Sequence, residues 1–218
     1  MIKAVIFDMD GVIIDSEPIY KEIDKKMFAR YDICLSEEKL ESIVGVPLFE
    51  LWDKLMLEYD LCKKYNTEEI IDQHADMYYK ALKENDLKLI PGIREWFEYF
   101  KKHGFKMIIA SSSHAKKIEF VCSRFNLDKY VEGYVDGNSV KNGKPAPDIF
   151  FKAADKLGVE PENCLVIEDS EHGVSAAKSA GMKCAAFSQR NSSFQNLDLA
   201  NIIIKEFSTE NLKKVMEI

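Results

Sequence analysis

The stretch that most constrains this chain is Ala4-Val5-Ile6-Phe7-Asp8-Met9-Asp10-Gly11. Four consecutive apolar residues suit a strand buried on both faces of a parallel sheet. The run ends abruptly in two carboxylates two positions apart, followed by glycine. In an open α/β sheet, ligands bind beyond the carboxyl ends of the strands, so Asp8 and Asp10 stand at the head of such a crevice. Alternate strand residues share a face, so Asp-x-Asp at a strand end can aim both side chains at one site. An Asx-type turn explains one aspartate before glycine easily and two poorly.

After Gly11 the periodicity becomes helical. Ser16 precedes Ile19, Ile23 and Met27 at spacing four, predicting a capped helix over residues 17–31. Leu48, Leu51, Trp52 and Leu55 form a second apolar stripe, and Ile70, His74, Met77 and Ala81 a third. No strand is needed before Leu89. Ile90-Pro91-Gly92 then marks a strong turn, and strands alternate with helices from there on. Apolar strands are expected at residues 106–110, 164–167, 183–187 and 202–204, with a weaker segment at 133–136. A polar loop is expected over residues 189–196. This alternation predicts an α/β fold with a Rossmann-like, doubly wound parallel sheet. Residues 1–14 and 90–218 form the core in this reading, and 15–89 form an inserted α-helical cap.

Composition narrows the partners. A net charge of −7 offers no basic footprint for nucleic acid. No apolar run approaches the roughly 20 residues that a membrane helix needs, and the first strand begins too early to leave room for a signal peptide. A cytoplasmic protein without membrane or nucleic-acid partners is expected. The five cysteines, Cys34, Cys62, Cys122, Cys164 and Cys184, are scattered and contain no C-x-x-C pair, as suits reduced, mostly buried thiols. Oligomeric state leaves no trace in the sequence.

Three further places offer polar groups to the crevice: Ser111-Ser112-Ser113 after one strand, Lys144 in the loop Gly143-Lys144-Pro145, and Glu168-Asp169 after another strand. Each has a bland reading alone. The serines could cap a helix, Lys144 could be a solvated loop residue, and Glu168-Asp169 could be an acidic first turn. Together they are harder to dismiss.

Asp8-Met9-Asp10-Gly11, Ile109-Ala110-Ser111, Gly143-Lys144-Pro145 with Pro147-Asp148, and Ile167-Glu168-Asp169-Ser170 resemble the four ordered motifs of haloacid dehalogenase-like hydrolases. The chain is most similar to their β-phosphoglucomutase-like phosphatase subgroup, which carries a helical cap between the first and second motifs. The resemblance implies a phosphatase of small phosphorylated metabolites, such as sugar phosphates. Asp8 would be the nucleophile, forming an aspartyl phosphate, and Asp10 the general acid and base. Ser111, Ser112 and Lys144 would hold phosphate. Mg²⁺ would be held by Asp8, Asp169 and the Asp10 carbonyl, with Glu168 close to the metal, and Asp148 would orient Lys144 or its loop. Charge supports a cation: each carboxylate near a phosphate dianion repels it by roughly 4 kcal/mol at about 4 Å and an effective dielectric of about 20. Asp10 also sets aside dehalogenases and phosphonate-cleaving relatives, which carry no acid two residues beyond the nucleophile.

The alternative of a β-phosphoglucomutase calls for a cationic grip on a second phosphate. That enzyme carries an arginine after the Gly-Val turn of its cap and a histidine near the start of its first cap helix. Alignment on Gly45-Val46-Pro47 and Ser16-Glu17-Pro18 puts Leu48 and Tyr20 there instead. A receiver-type phosphoacceptor domain gathers similar groups, but it is shorter and has no insert after its first strand. Glu17, Tyr20 and Trp52 are candidate cap contacts to substrate. His74 is expected in the cap core, His103 at a helix end, and His114 and His172 on helix-start surface.

Overall fold

The computed structural model describes residues 1–43, 46–188 and 195–218. In chain order, strand β1 (Ala4–Phe7) is followed by helices α1 (Glu17–Ala29), α2 (Glu37–Ser42), α3 (Leu48–Glu58) and α4 (Thr67–Glu84). Then come α5 (Ile93–Lys102), β2 (Lys106–Ser111), α6 (Ala115–Phe125), β3 (Tyr134–Asp136), α7 (Asp148–Leu157) and β4 (Cys164–Glu168). Helix α8 (Glu171–Ser179), β5 (Lys183–Phe187), β6 (Ile202–Ile204) and α9 (Thr209–Met216) complete the order. Most of the polar loop expected at 189–196 lies outside the described residues, as does Gly45.

By compactness the chain divides into Met1–Asp15 with Leu89–Ile218, and Ser16–Lys88. The first unit is a six-stranded sheet in the order β3-β2-β1-β4-β5-β6, with every pairing parallel. This is the doubly wound Rossmann-like order, which reverses between β1 and β4. β1 is therefore central: Ile6 pairs with Ile108 on one side and Val166 on the other. Its alternation divides the core. Ala4 and Ile6 join Ile108, Val166, Phe150 and Val174 beneath α7 and α8. Phe7 points to the opposite face, its ring 4.5 Å from that of Phe97 on α5. Gly92 starts α5 with φ +84, and a Cβ there would stand 2.2 Å from the Phe207 carbonyl, so only glycine lets the chain turn here.

The second unit is helical throughout its described residues. The apolar stripes of α3 and α4 bury Leu51, Trp52, Leu55, Ile70 and His74 together with Met27 and Phe28 of α1. Asn66 caps α4, its Oδ1 accepting from the Glu69 N–H at 3.2 Å. Ser16 behaves differently from a side-chain cap. It has helical dihedrals, and its carbonyl accepts from the N–H groups of Ile19 and Tyr20. Helix α1 stops at Ala29, before the expected residue 31, because Asp32 adopts φ +55 and reverses the chain. All five cysteines are free thiols, but Cys34 and Cys62 are exposed, so burial holds only for the three of the sheet unit. No helix among the described residues is long and apolar enough to cross a membrane.

Candidate active site

The sheet order reverses beside the carboxyl end of β1, and the polar strand ends meet there. Asp8 is buried, and its N–H donates to the Ile167 carbonyl of β4 at 2.9 Å. The loop before α7 delivers Lys144 to the same place. Its Nζ donates to Asp8 Oδ1 at 2.5 Å, Glu168 Oε1 at 2.7 Å and the Ala110 carbonyl of β2 at 3.2 Å. One ammonium thus ties together three strand ends. The loop is fixed by Asp148, whose Oδ1 accepts from the Asn142 N–H at 3.3 Å and its side-chain amide at 2.9 Å.

These groups perturb one another strongly. Burial pushes the Asp8 carboxyl up, Lys144 pulls it back, and Glu168 and Asp10 push it further, leaving it at about 7. Burial also works against the Lys144 charge. The adjacent Asp8 and Glu168 outweigh that and hold the ammonium above its ordinary range.

Glu168 is more fully engaged than a metal ligand would be. Its Oε2 accepts from the N–H groups of Asp169 and Ser170 at 2.7 and 2.8 Å and from the Ser170 hydroxyl at 2.9 Å, while Oε1 takes Lys144. Both oxygens are held by protein donors, so this carboxylate anchors Lys144 and the turn into α8. Gly173 makes room for it: a Cβ there would stand 1.7 Å from Glu168 Oε1. Asp169 rests on the turn after Asp10, where a Cβ at Gly11 would stand 1.9 Å from Asp169 Oδ2.

Among the described residues no three acidic, histidine or cysteine side chains form a metal-binding group. The groups that the resemblance offers to a cation, the Asp8 and Asp169 carboxylates and the Asp10 peptide carbonyl, are all hard oxygens. With Asp8 ionised, two buried carboxylates, Asp8 and Glu168, face the Lys144 ammonium, which leaves negative charge uncompensated before Asp169 is counted. In ligand type and in charge this set fits a small, hard divalent cation.

Ser111 is buried at the end of β2, and its Oγ accepts from the Ser113 N–H at 3.1 Å. Ser112 is exposed in the next position, and its carbonyl lies close to Gly137, where a Cβ would stand 2.4 Å away. The Asp10 carboxylate meets Ser113, the last of the three serines read as facing the crevice, and Lys117, to which sequence reasoning gave no role. Ser113 Oγ donates to Asp10 Oδ2 at 2.9 Å, and Lys117 Nζ lies 2.8 Å from the same oxygen. No spacing announces the Lys117 contact, since Ser113 lies ahead of the extended N-cap His114 and outside α6.

The remaining candidates belong to the helical unit. Trp52 is wholly buried, so it is a core residue and not a substrate contact. Its Nε1 donates to His74 Nδ1 at 3.0 Å, and His74 Nε2 lies 3.0 Å from Asp24 Oδ1. Tyr78 donates to the same Asp24 oxygen, and the half-buried Tyr20 packs its ring 4.1 Å from that of Tyr78. Glu17 is half-buried in the first turn of α1. His103 holds the Tyr99 carbonyl at a helix end, and His114 meets Asn138 at 2.7 Å on the surface.

Comparison with known proteins places the chain in a family. Residues 5–187 match the haloacid dehalogenase-like hydrolase family. The phosphorylated carbohydrates phosphatase of Thermotoga maritima is 37% identical over 183 residues, covering 83% of this chain and 82% of the relative. Hexitol phosphatase B of Escherichia coli is 30% identical, covering 84% and 82% respectively. The crystal structure of β-phosphoglucomutase from Clostridium difficile superposes with a TM-score of 0.83 at 26% identity, covering 100% of this chain and 98% of that one.

Proposed function

Because this chain belongs to the haloacid dehalogenase-like hydrolases, in their β-phosphoglucomutase-like subgroup, and is a phosphoric monoester hydrolase, we propose that it is a Mg²⁺-dependent phosphatase of small phosphorylated carbohydrates. Asp8 is the nucleophile in this reading. A carboxylate oxygen attacks phosphorus, the bond from phosphorus to the leaving alcohol breaks, and Asp10 gives the alcohol its proton. Water then attacks the aspartyl phosphate, Asp10 takes a proton back, and inorganic phosphate departs. Splitting the displacement this way replaces one difficult step by two easier ones.

The single observation that carries the reading is the buried Lys144 ammonium bridging Asp8 and Glu168 at the end of β1. It supplies fixed positive charge where the equatorial phosphoryl oxygens gain negative charge. Ser111 Oγ and the Ser112 N–H, ahead of the α6 N-terminus, are suited to the remaining phosphate oxygens. Mg²⁺, held by Asp8, Asp169 and the Asp10 carbonyl, supplies when bound the positive charge that this acidic cluster lacks. Glu168 keeps Lys144 in place and is left out of the ligand set. The helical unit is read as a cap that selects the carbohydrate, with Glu17 and Tyr20 as candidate contacts.

The test is release of inorganic phosphate from a panel of sugar, hexitol and glycerol phosphates, with and without Mg²⁺. Turnover of carbohydrate phosphates that needs Mg²⁺ and vanishes in Asp8→Asn is the expected result. Bisphosphate-stimulated isomerisation of a hexose phosphate with negligible phosphate release would overturn it in favour of a mutase.

A further inference from the structure

Lys117 is placed where a lysine needs a reason to be. It is the third residue of α6, near the positive end of the helix dipole, where a cation is disfavoured. Its side chain is only 14% exposed, low for a residue type that normally keeps its ammonium in water. Its Nζ lies 2.8 Å from Asp10 Oδ2, which also accepts from Ser113 Oγ at 2.9 Å.

Asp10 needs such support. It sits beyond the last paired residue of β1, and Gly11 at φ +78 turns the chain immediately after it. An acid and base on a turn acts only if its carboxylate is held in one orientation. Misplacement by about 1 Å can lower a rate roughly 100-fold. A hydroxyl alone is a weaker hold than a hydroxyl with a charge-assisted bond on the same oxygen.

We propose that Lys117 is a positioning residue for the phosphatase reaction: with Ser113 it fixes the Asp10 carboxylate toward the oxygen of the departing alcohol. The inference rests on the acid–base role given to Asp10 in the proposed function. Lys117 itself takes part in no bond change. The proton passes between Asp10 and the leaving oxygen, and Lys117 sets where that carboxylate stands.

The consequence depends on the leaving group, as a general packing role would not. An alkyl phosphate departs as an alkoxide and needs the proton, whereas p-nitrophenyl phosphate departs as a stabilised phenolate and does not. Because kcat/KM covers the steps through loss of the leaving group, the informative quantity is the ratio of kcat/KM for the best alkyl phosphate of the panel to that for p-nitrophenyl phosphate. Lys117→Met is expected to lower this ratio about 10- to 100-fold, no more than the roughly 100- to 10,000-fold that general acid catalysis is worth in full. Lys117→Arg should restore most of it, and Ser113→Ala should lower it in the same direction. Circular dichroism and thermal melting identify any variant that has lost its fold, in which case the other two decide. An unchanged ratio in folded variants, or an equal fall on both esters, overturns the assignment while leaving the phosphatase reading intact. A wild-type protein inert on both esters overturns that reading, and the assignment with it.

Discussion

Asp8 carries a tension that can be measured without substrate. Its carboxyl is held at about 7 in the folded protein, against 3.8 ordinarily. Between those values the folded state keeps a proton that the unfolded chain has released, so the stability of the metal-free protein falls as pH rises through that window and levels off above it. Lys144 adds no slope there, since its raised value affects stability only above the ordinary lysine range. Asp8→Asn removes the slope, so its melting temperature should gain on the wild type between pH 5 and pH 8 in chelator. A constant difference between the two proteins would show that Asp8 is not buried as described. Gly173 makes the matching prediction for Glu168. Gly173→Ala drives a methyl group into a carboxylate held by four donors, with an expected loss of about 1–3 kcal/mol from overpacking and an activity loss that surface substitutions remote from Asp8 do not share. Parallel urea melts and phosphate-release assays would read both.

At the level of elements, the strands and their acidic ends were legible because a buried strand leaves a continuous apolar run, and a pair of carboxylates at its end is costly unless a ligand meets them. Strands β5 and β6 follow their apolar runs residue for residue. Lys117 was not legible: a four-carbon side chain reaches in any direction, and only the packing of α6 decides that it meets Asp10. Helix α2 was also missed, as six residues carry too little periodicity to announce themselves. Trp52 shows the opposite failure. The stripe Leu48, Leu51, Trp52, Leu55 already marked the inward face of α3, and offering Trp52 to a substrate ignored that signal. Its consequence is testable: Trp52→Phe leaves the buried His74 Nδ1 without its donor, which should cost about 1–3 kcal/mol and appear in denaturation by urea, with KM unchanged. A raised KM at unaltered stability would return Trp52 to the substrate side.

For the whole molecule, the join between the two units matters most. Ile14 bridges Leu89 in antiparallel fashion, and the Ile90 N–H donates to the Ile13 carbonyl at 2.9 Å, so the chain leaves and re-enters the sheet unit at one point. Removing residues 16–88 and linking Asp15 to Leu89 through a short Gly-Ser segment should therefore give a protein that melts cooperatively by circular dichroism. It should retain some hydrolysis of p-nitrophenyl phosphate and lose discrimination among carbohydrate phosphates. A non-cooperative melt would mean that the sheet unit depends on the helices to fold.

The central position of β1 has a consequence during synthesis. Its two neighbours in the sheet begin at Lys106 and Cys164, so this apolar segment has no completed place to go until the last of them has left the ribosome. At roughly 5–20 residues per second that is a wait on the order of ten to thirty seconds. The nascent chain must shield those four side chains over that interval, and the buried setting of Asp8 comes into being only when the wait ends.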